Sequence, residues 1–338
     1  ICARQIRAAP AGRGHLAAGS RVPCISLICN LTNMTTFRPR ASARGRSPSS
    51  MGSSMTTQTE KARQFQSYHA AGEAFIIPNP WDIGTARLLA LAGFKALATS
   101  SAGYAFSRGR PDNAVGRAQM MAHLTDIAAA TDLPVSADLE NGFGDAPEDC
   151  AETIMQAAAA GVVGGSIEDA TGRADEPIYG FEAAVERVRA AVVAARSLPF
   201  PFTLTARAEN YLVGRPDLDD TIRRLRAYEE AGADVLYAPG LKTREEIAAV
   251  VDALERPVNV LMGLQGVLLS FDDLRSLGVR RVSVGGSLAR AALGAFLRAA
   301  HEMRDHGTFN YTKEAASGNE INQLFTAAEQ KWGKQTGE

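Results

Sequence analysis

From residue 74 onward, short apolar runs alternate with longer amphipathic stretches. The runs are 74–78, 94–98, 134–138, 162–167, 202–206, 234–237, 257–261 and 280–284. They are continuously apolar, with no strict polar alternation, which is the pattern of strands covered on both faces. The stretches between them, 82–92, 116–130, 147–160, 181–196, 217–231, 243–254 and 270–277, carry the helical period. Several of these helices close the same way: Gly93, Gly161, Gly232 and Gly278 stand where a left-handed residue ends a helix, and a strand follows at once. Asp217 and Ser270 suit N-caps, and Pro147 suits a first helical turn.

Eight strand–helix units in about 230 residues predict an α/β fold, a (β/α)8 barrel. An open doubly wound sheet is the alternative, but Asn79-Pro80-Trp81-Asp82 after the first run is not its Gly-rich fingerprint. Residues 287–304 read as the eighth helix and about 318–333 as an extra C-terminal helix. Such a helix often packs on a neighbouring subunit, so a homo-oligomer is expected.

The 338-residue chain has a formal net charge of −1, but the charge is unevenly spread. Residues 1–59 hold eight Arg, no Lys and no acid; the remainder holds 28 basic residues against 37 acids, or −9. The chain therefore divides into an Arg/Ser-rich tail, 1–59, expected to be disordered, and a single barrel domain, 60–338. The tail has the composition of a transit segment. Translation from upstream of Met51 or Met55 would produce the same composition, and is the preferred reading. An acidic body argues against nucleic-acid or anionic-membrane partners, and no stretch has the ~20 apolar residues of a membrane span. Three of the four Cys lie in the tail, so the body has no disulfide framework or thiolate metal site; a reducing, cytoplasmic setting is expected. Cys150 and the histidines at 69, 123, 301 and 306 read as packing or surface residues.

A barrel's site lies where its strands end. The second run leads into Thr99-Ser100-Ser101-Ala102-Gly103 and a loop to Asp112, the third ends Asp138-Leu139-Glu140, the fourth Glu168-Asp169 and the fifth Arg207-Ala208-Glu209. Asp138, Glu140, Glu168 and Asp112 would meet at one mouth, where like charges cannot all stay ionised without a cation. With only oxygen donors, the cation would be Mg2+, or Mn2+. Salt bridging to Arg or helix capping is the competing role. Arg207 either binds a carboxylate or phosphate in bidentate fashion or pairs with Glu168 or Glu209. Ser100, Ser101, Ala102 and Gly103 offer backbone amides to a small carboxylate or an oxyanion. Trp81 is placed on the pocket wall, and Asp82 either beside it or capping a helix. Tyr104, Phe106 and Arg108 are placed around the substrate. Gly285-Gly286-Ser287 serves tight packing in preference to phosphate binding.

In this order these residues resemble the isocitrate lyase/phosphoenolpyruvate mutase superfamily over about 72–300. The family's D-x-D-T-G-[FY]-G reads here Asp138-Leu139-Glu140-Asn141-Gly142-Phe143-Gly144, its I-E-D reads Ile167-Glu168-Asp169, and its A-R-[TV]-[DE] reads Ala206-Arg207-Ala208-Glu209. Its Ser-rich turn followed by an Asp matches Ser100 and Asp112. The resemblance implies that Asp138 approaches Mg2+ most directly while Asp112, Glu140 and Glu168 hold its waters. It implies that Arg207 and the amides around Ser101 bind a 2-oxo acid, with Arg207, Ser101, Glu168 and Asp112 forming the catalytic set. It further implies pyruvate-enolate chemistry and an eighth helix swapped between subunits of a dimer or tetramer. Three departures matter. Glu140 is one methylene longer than the family's Asp. Residues 170–177 lack the Lys and Cys of the lyases' K-[KR]-C-G loop, and no acid follows Tyr237. The segment 169–180, with Arg173 and Tyr179, is expected to be a lid. The expected activity is a carbon–carbon lyase or decarboxylase; the alternatives are a phosphonomutase or phosphonopyruvate hydrolase, and a non-catalytic metabolite-binding barrel.

Overall fold

All eight apolar runs form strands in a computed structural model that describes residues 56–70, 72–263 and 267–333. The chain order is α1 (Gln58–Ala70), β1 (Phe75–Ile77), α2 (Ile83–Leu91), β2 (Leu97–Ala98), α3 (Ser101–Ser107), α4 (Arg117–Ala130), β3 (Val135–Asp138), α5 (Pro147–Ala159), β4 (Gly164–Glu168), α6 (Phe181–Ser197), β5 (Thr203–Arg207), α7 (Leu218–Glu230), β6 (Val235–Tyr237), α8 (Arg244–Asp252), β7 (Val258–Leu261), α9 (Phe271–Ser276), β8 (Arg281–Ser283), α10 (Ser287–His306) and α11 (Gly318–Trp332). The expectation of a disordered tail lies, up to residue 55, outside the described residues. Among the described residues no helix is long and apolar enough to cross a membrane.

Every strand pairing is parallel, in the order β1-β8-β7-β6-β5-β4-β3-β2. The strands are therefore sequential around a ring, which excludes the doubly wound alternative. Between β1 and β2 the ring is joined just beyond the strand ends. Ala98 N–H donates to the Pro78 carbonyl at 3.0 Å, and Asn79 Nδ2 donates to the Thr99 carbonyl at 2.8 Å. The predicted caps form: Asp217 accepts from Asp220 N–H and Ser270 from Asp273 N–H, while Asp82 caps α2 by accepting from Thr85 N–H. The helix-closing glycines at 93, 161, 232 and 278 all have positive φ, a conformation that costs glycine little because it has no Cβ.

Helix α1 was not foreseen. Its Phe65 packs with Phe75, Ile77 and Val163 in a small cluster separate from the main core. Gln58 and Lys61 tie it to the carbonyls of Ala158 and Thr131 at 2.7 and 2.8 Å. The C-terminal helix departs from expectation in another way: α11 packs on its own chain. Arg87 of α2 pairs with Glu329 at 3.1 Å, the Phe325 ring lies 3.4 Å from where a Cβ on Gly84 would stand, and Ala328 and Trp332 are buried. Of the twenty residues of α10, only Ala289 is buried.

Candidate active site

Three consecutive strands end in charge: Asp138 closes β3, Glu168 β4 and Arg207 β5. The backbone direction of a parallel barrel puts all three at one rim. Arg207 Nη1 lies 2.9 Å from Asp138 Oδ1 and 3.0 Å from Glu168 Oε2, and Nη2 lies 2.8 Å from Glu209 Oε1. The Tyr237 ring lies 5.1 Å from the guanidinium. The start of α3 meets the same carboxylate: Ser101 N–H and Oγ each donate to Asp138 Oδ2 at 3.0 Å. Ser101 Oγ also lies 3.4 Å from Asp112 Oδ1.

The remaining acids crowd this pair. Burial, then the charge of Asp138, raises Asp112 above the usual carboxylate range. Burial, then Asp138 and Asp112, pushes Glu140 up to about 8. Glu168 and Glu209 are also raised, by burial first, against the pull of Arg207. Five carboxylates around one guanidinium make an environment short of positive charge. Glu140 stands in the left-handed region at φ 50°, and its Oε1 is buried without a partner. Non-Gly residues held at positive φ tend to mark functional sites. Among the described residues no three His, Cys, Asp or Glu side chains close around a common point as direct ligands. The set fits a hard cation such as Mg2+, which keeps several waters and takes only one or two carboxylates directly. Asp138 would be the direct ligand, and the orphaned Glu140 Oε1 an acceptor for a bound water.

Two cavities share these residues. An inner cavity of about 280 Å³ runs into the barrel, with Ser101, Asp138, Phe106 and Arg207 near its mouth. An outer groove of about 1070 Å³ is lined by Glu140, Glu168, Glu209 and Arg173. Ser101, Asp112, Arg207 and Leu212 line both.

The phosphoenolpyruvate phosphomutase family profile matches residues 65–304. A lyase relative, 2-methylisocitrate lyase of Escherichia coli K12, is 33% identical over 264 residues, covering 72% of this chain and 87% of that one. A crystal structure from Burkholderia cenocepacia J2315, described as a candidate lyase/mutase, is 68% identical, with a TM-score of 0.78 over 79% of this chain and 96% of that one. A phosphonopyruvate hydrolase solved with oxalate and Mg2+ is 26% identical, with a TM-score of 0.70 over 80% of this chain and 99% of that one. This chain belongs to the phosphoenolpyruvate mutase/isocitrate lyase superfamily. It is an enzyme of the carbon–carbon lyase type that the superfamily includes.

Within this superfamily barrel the sequence-derived residues divide. Asp138, Glu168, Arg207, Ser101 and Asp112 come together, with Glu140 on the groove side. Arg207, for which substrate binding and ion pairing were both open, pairs here with three acids. The amides of residues 100–103 are less free than expected, because they begin a short helix where a loop was read. Ser100 Oγ caps α3 by accepting from Gly103 N–H at 3.1 Å, and Ser101 N–H is taken by Asp138. Ala102 N–H remains. Gly103 leaves room for Trp81, whose Cβ would lie 3.1 Å from an added Cβ. Trp81 lines neither cavity, so its placement on the pocket wall is corrected. Tyr104 stacks on His123 at 3.9 Å between ring centroids, Arg108 is exposed, and only Phe106 of that trio lines the inner cavity.

The 169–180 segment is tied at both ends. Asp169 is buried, accepting from Tyr228 Oη at 2.6 Å and pairing with Arg224 at 3.2 Å. An antiparallel bridge joins Ala170 to Ile178. Arg173 grips both oxygens of Asp145 at 2.8 and 2.9 Å, and Tyr179 Oη donates to Asp145 at 2.5 Å. Cys150 is buried, which pushes its thiol up to about 11 and leaves it a packing residue. Among the cavity residues that sequence reasoning missed are Asn79, Tyr237, Asn259 and Arg281. Asn79 Oδ1 accepts from Val284 and Gly285 N–H at 3.0 and 2.8 Å. The readable signal was an Arg inside the buried run 280–284.

Proposed function

We propose that this enzyme breaks a carbon–carbon bond in a small 2-oxo or 2-hydroxy carboxylic acid through a pyruvate-type enolate, with decarboxylation of a 2-oxo acid as its simplest form. The observation that carries this is the half-buried Arg207 set beside Asp138 and Ser101 at the mouth of a cavity sized for a small acid. A divalent cation held at Asp138 would supply positive charge where the enolate oxygen develops negative charge. The chain's part is positioning. Arg207 offers a planar, bidentate donor pair to the substrate carboxylate, and exchanges an internal carboxylate for it. The remaining Ala102 N–H faces a developing oxyanion without reorganising, while Ser101 Oγ stays on Asp138. Ser101 and Arg207 together fix Asp138. The tied 170–178 segment carries no Cys or Lys, which favours a reaction needing enolate stabilisation and no thiol acid. We place the protein in the cytoplasm, consistent with a buried, reduced Cys150.

The test is the full chain with Mg2+ and oxaloacetate, with pyruvate formation followed by NMR. Turnover above the Mg2+ background is expected, reduced ~100-fold or more by Asp138→Ala and abolished by EDTA. No turnover of oxaloacetate, with turnover of phosphonopyruvate, would move the protein to phosphorus–carbon chemistry. Failure of both, with no binding of oxalate, would leave a metabolite-binding barrel.

A further inference from the structure

The interior beneath the mouth is polar where barrels are usually filled with branched apolar side chains. One register row explains how. Arg207 pairs with Tyr237 across β5 and β6, Tyr237 with Asn259 across β6 and β7, and Asn259 with Arg281 across β7 and β8. Residues level with one another on neighbouring strands share a face of the sheet, so the row faces inward as Arg207 does. Arg281 is buried, with 5% of its surface exposed. Its Nε donates to Asn259 Oδ1 at 2.9 Å and its Nη2 to Thr205 Oγ1 at 2.9 Å, and its Nη1 lies 3.5 Å from His69 Nε2. Thr205 stands two residues before Arg207, one inward layer deeper, or about 7 Å along the strand. The head of Arg281 therefore reaches beneath the mouth.

None of these partners is an acid. The acids that pair with a guanidinium of this row, Asp138, Glu168 and Glu209, all pair with Arg207. A buried cation without a counter-charge is costly to keep. The inner cavity is lined by Arg281 together with Asn259, Ser283, Ser136 and Ser166, small or hydroxylated residues that leave space and offer hydrogen bonds. We infer that the floor of the inner cavity is an anion subsite, in which Arg281, with Asn259 and Ser283, takes the distal carboxylate of a short diacid whose 2-oxo acid head lies at Arg207 and Ser101. The substrate class is then a diacid of about four carbons. The head-group half of this statement rests on the function proposed above; the floor rests on Arg281.

Calorimetric titration of the full chain with Mg2+ tests it with two probes of equal chain length. One is 3,3-difluorooxaloacetate, with a distal carboxylate, and the other is 2-oxobutyrate, without one. The parent is expected to prefer the diacid about tenfold or more, the scale of hydrogen bonds to a charged group. Asn259→Asp is isosteric and places an internal carboxylate on Arg281. It should cut the preference to about twofold or less while raising Tm, as a newly compensated buried charge would. Arg281→Met should cut the preference equally. An unchanged preference in a folded Asn259→Asp with raised Tm overturns the subsite and leaves Arg281 as a core brace. Oxalate binding to the parent with no diacid preference also overturns the subsite alone. If the parent binds neither oxalate nor either probe, the 2-oxo acid reading itself fails, and the subsite with it.

Discussion

His123 holds no proton that the folded protein can easily keep. Its ring is stacked under Tyr104, its Nε2 is buried without a partner, and burial pushes it down to about 4 against the pull of Asp82. In the unfolded chain it protonates near ~6.5. Between those values the unfolded state binds a proton the folded state does not, so stability is lost as pH falls through that window. The full effect is about 3 kcal/mol at most. His123→Phe keeps the stack and removes the titration. Thermal unfolding from about pH 7 to 4.5 should show a shallower loss of Tm in the variant, and parallel curves would clear His123 of the role. The same scale shows what can be read from sequence. Asp138, Glu168 and Arg207 were legible because the last residue of a buried parallel strand has only the mouth to face. Arg281 was not, because nothing local tells whether a charge inside an apolar run points into a barrel or out. Ser100 lines the inner cavity and also caps α3, because a hydroxyl at a strand end serves a cap as readily as a ligand.

At the level of elements, β4 is shaped by what it lacks. An added Cβ on Gly164 would stand 2.8 Å from the Thr203 carbonyl oxygen and 3.0 Å from the Phe65 ring. The first neighbour is backbone of β5 and cannot swing away. Gly164→Ala should cost ~1–3 kcal/mol as an overpacked core site. Gly318→Ala, in α11 where nothing lies within 4 Å, should be neutral or stabilising by up to ~1 kcal/mol. Denaturant unfolding of the pair reads the difference directly, and equal midpoints would mean that β5 yields to the methyl group. Strands and caps were legible because their signals are local: apolar runs, a Gly after a helix, Asp or Ser before one. Helix α3 was missed because it has only seven residues, too few to show a period. Its first N–H is held by Asp138, 37 residues away. The ties of the 170–178 segment were hidden for the same reason. They depend on Asp145 from the β3 loop and on Arg224 and Tyr228 from α7.

For the whole molecule, the outlier is α10. A helix within a protein gains most of its stability from tertiary packing of an apolar face, yet this one buries only Ala289 within its own chain. Leu293, Phe296, Leu297 and Met303 remain 42%, 67%, 52% and 40% exposed. The first three fall on one helical stripe by their spacing, and an exposed stripe of this kind marks an interface. We propose that α10 packs against a second copy of this chain, in an exchange of eighth helices within a dimer or a tetramer. The helix also begins beside the site. A Cβ added to Gly286 would stand 3.3 Å from the Ala102 Cβ, and Asn79 holds the amides of Val284 and Gly285 just before it. Dissociation should therefore disturb the cavity mouth as well as the assembly. Light scattering of the parent should give a mass at least twice the chain's 35.8 kDa. Phe296→Asp, which puts a charge into the stripe, should give a monomer with a lower Tm and reduced turnover, while Arg304→Ala, at an exposed pair, should leave the mass unchanged. A monomeric parent would end the exchange proposal. An oligomeric Phe296→Asp would move the interface off this face of α10.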